Sequence, residues 1–406
     1  MDARLRAAAH ALSVFDPLEA LQGVALRDDP PALAMRGIAM AQLGEFAIAR
    51  RLLRRAATAF TSTAPVARAR CMASEAEVAL ACRDLAAAQR GFTASAATLE
   101  AYGDGENALF ARLQLVRILV LLGKLNDASK SLASLELEGA AARIVAVAAL
   151  IASDIAVRGV HPRAARLALD RARDAATLAA IPSLTEEVES ARRTLDAPVA
   201  RLCVSGAERP VDLDDVEALF RSGDFLVDAC RREVRGGGVV ISLAARPVLF
   251  SLAVALAEAA PGEATRETLV RRAFFARAVS DSLRARLRVE VGRLRRLLEP
   301  LADVHATERG FTMTPRRETR ILVLSPPTPG EANALVALLT GGEAWSTSAL
   351  AAALGRSQRA VQRALAALEA EHRVHPVGRG RARRWMAPAP AGFATTLLLA
   401  PARPSG

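Results

Sequence analysis

The sequence predicts a mainly α chain, with an array of α-hairpins in its first half and two small α+β units in its second. Three observations carry that reading. From Asp2 to about Leu195 the chain is rich in Ala, Leu and Arg at helical period, with turn-forming breaks roughly every 15–20 residues. After Ala197-Pro198 the pattern changes to short β-like runs interleaved with helices. The charge is also uneven: residues 1–200 carry 24 Lys+Arg against 22 Asp+Glu, while residues 201–406 carry 30 against 21.

The length, 406 residues, corresponds to two or three domains, and 52% hydrophobic residues leave ample material for packed cores. The net charge of +11 belongs almost entirely to the second half, as expected if that half alone touches a polyanion. Cys71, Cys82, Cys203 and Cys230 show neither CxxC nor zinc-type spacing and read as buried, reduced thiols of a cytoplasmic protein. The N-terminus lacks the apolar core of a signal peptide. The longest apolar run, Ile144 to Ala152, is far short of the roughly 20 residues that span a bilayer, so no membrane partner is expected. No phosphate loop, nucleophile elbow, HExxH or dinucleotide fingerprint is found, so neither an enzyme nor a cofactor is expected. No metal is expected either, since His372 and His375 lack Cys or carboxylate company.

Residues 1–197 form the helical array. Its breaks are Asp16-Pro17, Asp29-Pro30-Pro31, Pro65, Gly103-Asp104-Gly105, Gly159 to Pro162, and Pro182. Small and large residues recur at matched spacing: Gly37/Ala49/Leu53/Ala56, Ala76/Ala88/Phe92/Ser95, Ser153/Ala165/Leu169/Ala172, and a poorer copy at Val116/Ala128/Leu132/Leu135. Small residues at such positions let two helices cross closely while the large one fills the gap. With Leu43-Gly44 and Leu122-Gly123 before inter-helix turns, the array resembles tetratricopeptide-type repeats. Its period is longer than the usual 34 or so, and it lacks an aromatic near each repeat start. The resemblance implies a superhelix with a groove for a peptide, a protein or a second copy of the chain. An array serving only as scaffold or dimerisation arm fits the same residues.

In residues 198–317, Arg201 to Ser205 reads as a strand and Asp212 to Phe220 as a short helix. Phe225 to Val234 and Val239 to Leu243 read as two strands joined by the turn Gly236-Gly237-Gly238. Helices follow at Arg246 to Ala259 and at Thr265 to Phe275, with Thr265 as N-cap. The next helix, Ser280 to Glu299, is stopped by Pro300. Leu283, Leu287, Val291, Leu294, Leu297 and Leu298 make its buried stripe. Its opposite face carries Ser282, Ala285, Arg288, Val289, Gly292 and Arg296, flanked by Arg284 and Arg295 on one side and Arg286 and Arg293 on the other. A major groove admits such a helix, and guanidinium forks suit phosphates and guanine edges. Asp303 to Thr307 and Gly310 to Thr314 make a closing hairpin with Arg309 at its tip, which completes a winged helix-turn-helix. Residues 224–315 resemble the OmpR/PhoB-type winged-helix DNA-binding domain through Arg293-Leu-Arg-Arg-Leu-Leu298 and Gly310-Phe311. The resemblance implies that helix 281–298 enters the major groove while the hairpin reaches neighbouring phosphates or the minor groove.

Residues 318–328 read as a strand, Thr319 to Leu324, running into a stiff Pro-rich linker. Residues 329–388 read as a second winged helix-turn-helix, with helices at Glu331 to Leu339, Ala349 to Leu354 and Gln358 to Glu371, and with Ser346-Thr347-Ser348 as a cap. Val361, Leu365 and Leu368 face inward. Arg359, Gln362, Arg363 and Ala366 face outward, and Arg356 is placed to hold phosphate. Strands His372 to Val377 and Arg383 to Met386 flank a tip carrying Arg379 and Arg381, which suits a narrow minor groove. The unit resembles MarR-like winged helices in general shape. The tail, 389–406, holds an apolar run, Ala394 to Ala400, that reads as a final strand. The expected function is a cytoplasmic transcriptional regulator that binds double-stranded DNA through both units. The competing reading is a protein-interaction scaffold whose charge serves only solubility.

Overall fold

The structure, a computed structural model, describes residues 3–60, 64–204, 206–274, 280–326, 335–336, 338–339, 345–354, 357–370, 373–377, 380 and 383–386. The chain is mainly helical with three small sheets among the described residues.

The first half is α-helical throughout: α1 (Ala3–Ser13), α2 (Pro17–Val24), α3 (Pro30–Gln42), α4 (Phe46–Ala59), α5 (Pro65–Ala81), α6 (Leu85–Ala101), α7 (Gly105–Leu121), α8 (Leu125–Ala133), α9 (Ala142–Gly159), α10 (Pro162–Ala179) and α11 (Pro182–Asp196). The expected breaks mark the boundaries for local reasons. Proline opens α2, α3, α5, α10 and α11, where its missing N–H is not needed, and the carboxylates of Asp16, Asp29 and Asp84 accept from free amides in the first turns of α2, α3 and α6. Consecutive helices pack on one another through the matched small and large residues: Ala49, Leu53, Ala56, Ala76, Ala88, Phe92, Ala165, Leu169 and Ala172 are all buried. A Cβ on Gly37 would lie 2.7 Å from Leu53 Cγ, so that crossing needs glycine. In the poorer copy Ala128 is fully buried but Leu132 and Leu135 only half so.

Six inter-helix turns among the described residues share one geometry, a left-handed residue followed by an amide that reaches back to the helix before: Phe15, Gly44, Arg83, Gly103, Gly123 and Val160. Gly44, Arg83, Gly123 and Val160 each precede by five residues one of the alanines Ala49, Ala88, Ala128 and Ala165.

Then come β1 (Ala200–Val204), β2 (Ala207–Val211), α12 (Leu213–Ser222), β3 (Phe225–Asp228), β4 (Glu233–Gly236), β5 (Val239–Ser242), α13 (Pro247–Ala259), β6 (Ala264–Thr265), α14 (Arg266–Phe274), α15 (Asp281–Leu298), β7 (Ala302–Ala306), β8 (Gly310–Pro315) and β9 (Ile321–Ser325). The run Phe225 to Val234, expected as one strand, is two. The buried Asp228 carboxylate accepts from the amides of Cys230 (2.8 Å) and Arg231 (3.0 Å) and folds the chain back after four residues. That turn leaves Cys230 exposed, and Cys82 and Cys203 are only half-buried. Of the four thiols expected in the core, Cys71 alone is fully buried, and burial pushes it up to about 12.

The strand expected to lead into a linker is instead central. In the order β2-β1-β9-β3-β4-β5, β9 lies antiparallel to β1 and parallel to β3. Side chains alternate across this sheet. Leu202, Leu226, Leu322 and Leu324 join the core of the helical array, whereas Phe225, Val227, Val234 and Val323 join the core beneath α13, α14 and α15. One sheet is thus shared by both halves. Arg231 adds a polar tie, donating to the Arg158 carbonyl at the end of α9 (2.9 Å).

Farther on are α16 (Thr347–Leu354), α17 (Gln358–Ala370), β10 (His375–Val377) and β11 (Arg384–Met386), with their own core around Leu335, Leu350, Leu365 and Trp385. Of the helix expected at Glu331–Leu339, residues 335, 336, 338 and 339 are described and helical. The rest of it, the linker prolines Pro327 and Pro329, and the strand expected in the tail lie outside the described residues.

Candidate nucleic-acid interface

The seat of α15 follows from its apolar stripe. Leu287, Val291, Leu294 and Leu298 are buried against α13, α14 and β7, and Leu283 and Leu297 are half-buried at the margins. Ser280 caps the first turn, its hydroxyl accepting from the Leu283 amide. α14 is held alongside by Thr265, whose hydroxyl accepts from the Thr268 amide (3.2 Å).

With the stripe buried, Ser282, Ala285, Arg288 and Arg296 are exposed, Val289 is 54% exposed, and Gly292 has open space above it. The centre of this face is low, so the backbone can be approached closely. The six arginines, alike in sequence, differ in engagement. Arg284 pairs with Asp281 (3.1 Å) and Arg293 with Glu290 (2.9 Å). Arg286 lies 4.7 Å from the Phe274 ring centroid, and Arg295 donates from Nε to the Val304 carbonyl (2.6 Å). Arg288 and Arg296 meet no carboxylate, carbonyl or ring among the described residues.

Beside α15, β7 and β8 form an antiparallel hairpin extended by β6. Gly310 makes that three-stranded sheet possible, because a Cβ there would lie 1.9 Å from the Ala264 carbonyl oxygen. The guanidinium of Arg266 donates to the carbonyls of Thr307 (2.9 Å) and Glu308 (2.6 Å), leaving the side chain of Arg309 exposed at the tip. The ring of Phe311, buried below, has the guanidiniums of Arg266 (5.5 Å) and Arg295 (5.8 Å) near its centroid.

Two arginines on this surface were not singled out in the sequence. Arg266 is the tie just described. Arg246, exposed at the N-cap of α13, lines a cleft of about 560 Å³ with Arg293, Arg296 and Glu290. The only local sign was an Arg-Pro pair opening a helix, which by itself does not distinguish a contact from a cap.

In the second unit Val361, Leu365 and Leu368 are buried and Arg359, Gln362, Arg363 and Ala366 are exposed, as the spacing predicts. Ser346 and Ser357 cap α16 and α17 through their hydroxyls. β10 and β11 pair, and Trp385 donates from Nε1 to the Thr347 hydroxyl (3.1 Å). Arg383 is held over the Trp385 ring and against Glu369. Arg356, Arg379 and Arg381 lie outside the described residues.

Among the described residues no group of His, Cys, Asp and Glu could hold a metal ion, and no helix is long and apolar enough to cross a membrane. Comparison with protein-family models, with curated proteins and with solved structures finds no match to this chain.

Proposed function

We propose that the chain is a DNA-binding transcriptional regulator, built as a tetratricopeptide-like array (1–197), an OmpR/PhoB-like winged helix (198–317), a connecting segment (318–328), a second winged helix (329–388) and a tail. The observation that carries this is the outward face of α15. It is a basic surface with a low centre, seated on a buried stripe and flanked by a pinned hairpin, and two of its guanidiniums are committed to no partner among the described residues. A solvated surface helix has no need of a three-stranded sheet bracing its side, whereas a helix lying in a major groove does need a second point of contact with the backbone. Arg288 and Arg296 are the side chains free to read base edges. Arg246, Arg293 and Arg309 border the places where phosphates would lie. The exposed Arg359, Gln362 and Arg363 offer a second reading surface, and two readers on one chain raise affinity for a longer site through effective concentration.

The test is selection of duplexes from a random pool by the full-length chain, followed by titration of the selected duplex. Binding should weaken steeply between about 50 and 200 mM salt. Arg288→Ala with Arg296→Ala should remove most of the preference for the selected over a random duplex, about tenfold or more per arginine that reads a base. Equal preference in the double variant and the parent would overturn the assignment.

A further inference from the structure

α5, α7, α9 and α11 converge on a cavity of about 450 Å³ inside the helical array, a size suited to a small organic molecule. Its walls are largely apolar, with Phe110, Leu150, Ile151 and Leu184 among them. Its charged groups are mostly matched: Arg117 pairs with Glu187 (2.7 Å) and Arg158 with Asp154 (2.9 Å). Two are left over. Glu77 is 5% exposed, lines the cavity, and has no hydrogen-bond partner for its Oε2. Arg83, half-buried on the same wall, forms neither a hydrogen bond nor an ion pair among the described residues.

The backbone of Arg83 is also strained. It takes a left-handed turn position, φ +60°, that Gly44, Gly103 and Gly123 fill at other turns and that Phe15 and Val160 take as well. Glycine would adopt this conformation without strain and arginine does not, so a side chain is kept there against the local preference of the chain. Burial and the nearby guanidiniums of Arg158 and Arg117 hold Arg83 below the usual arginine range, against the pull of Asp154. An isolated, partly desolvated guanidinium is best satisfied by a carboxylate or sulfonate, which it can grip with two N–H donors.

We infer that this cavity binds a small amphiphilic organic acid: its anionic head on Arg83, its apolar body along Phe110, Leu150 and Ile151, and a hydrogen-bond donor reaching Glu77. The matched pairs leave Arg83 as the one guanidinium of the cavity wall without an anion among the described residues, which favours an anionic head over a neutral lipid or a cationic peptide. This inference does not depend on DNA binding.

The probe is anilinonaphthalene sulfonate, which carries an aromatic body, a sulfonate and an N–H, with decanoate as competitor. Titrated into the full-length chain, the dye should bind saturably, once per chain, and decanoate should displace it. Arg83→Gly should raise the melting temperature by relieving the turn, yet weaken dye binding about tenfold or more. Ser190→Trp, on the exposed rim, should block the cavity without touching the core. Arg288→Ala, far along the chain on α15, should leave dye binding unchanged. Absence of saturable binding in the parent, undiminished binding in either cavity variant, or displacement by an amphipathic peptide but not by decanoate would each overturn the inference.

Discussion

Glu77 shows how one buried group ties stability to pH. Burial pushes its carboxyl well above the ordinary glutamate value of 4.5, Arg117 and Arg143 pull it back, and Glu187 pushes it further. An acid whose folded value is raised holds its proton more tightly in the folded state, so its contribution to stability is full at low pH and declines as pH rises past 4.5. Glu77→Gln keeps the shape and removes the titration. The melting temperature of the variant should therefore run parallel to that of the parent below about pH 4.5 and pull ahead at higher pH. Parallel curves across the whole range would show that Glu77 is not desolvated. Neither Glu77 nor Arg83 could be recognised in the sequence as part of a site, because the cavity is lined from four helices and no local motif marks either residue in its own segment. The small-residue crossings at Gly37, Ala49 and Leu53 were legible, since their signal is local spacing.

At the level of elements, α15 was readable almost residue by residue. An amphipathic helix declares its buried stripe through a 3.6-residue period that needs no knowledge of the partner. The sequence could not separate its arginines by role. That separation depends on what folds back beside the helix, and Arg295 is the clearest instance: it looks like an outward cation and instead donates to Val304 of the hairpin. Arg295→Met keeps most of the apolar stem and removes the donor. Losing a charged donor to that carbonyl should cost about 1.5–3 kcal/mol. The effect should be local, with faster hydrogen exchange for amides between Ala302 and Pro315 and little change along α15, whose own leucines hold it. Unchanged exchange in the hairpin would show that the tie contributes nothing. The Phe225 to Val234 run was misread at the same scale. A single buried Asp228 ends β3 from within, and an Asx turn among β-forming residues leaves little trace in a pattern of alternation.

At the scale of the whole molecule, the shared sheet replaces the picture of modules on a string. Ile321 to Ser325 reads as a strand followed by prolines, which is the ordinary signature of a domain edge. Its insertion between β1 and β3 leaves no local mark, because both partners lie far away in the chain. The consequence is that a domain cut placed by sequence, after Arg317, removes the middle of the sheet. Leu322, Val323 and Leu324 are each no more than 2% exposed and serve both cores. At about 1.5–3 kcal/mol per buried aliphatic side chain, their loss removes roughly 5–9 kcal/mol, comparable with the whole stability of an ordinary domain. It would also leave β1 and β3 with unpaired edges. A chain ending at residue 326 should therefore melt cooperatively and stay soluble, whereas one ending at residue 317, shorter by β9 and its lead-in, should aggregate or melt far lower. Differential scanning calorimetry of the two truncations decides it: equal melting temperatures would mean that β9 is an accessory to the sheet, and that the array and the α13–α15 unit are held together by something else.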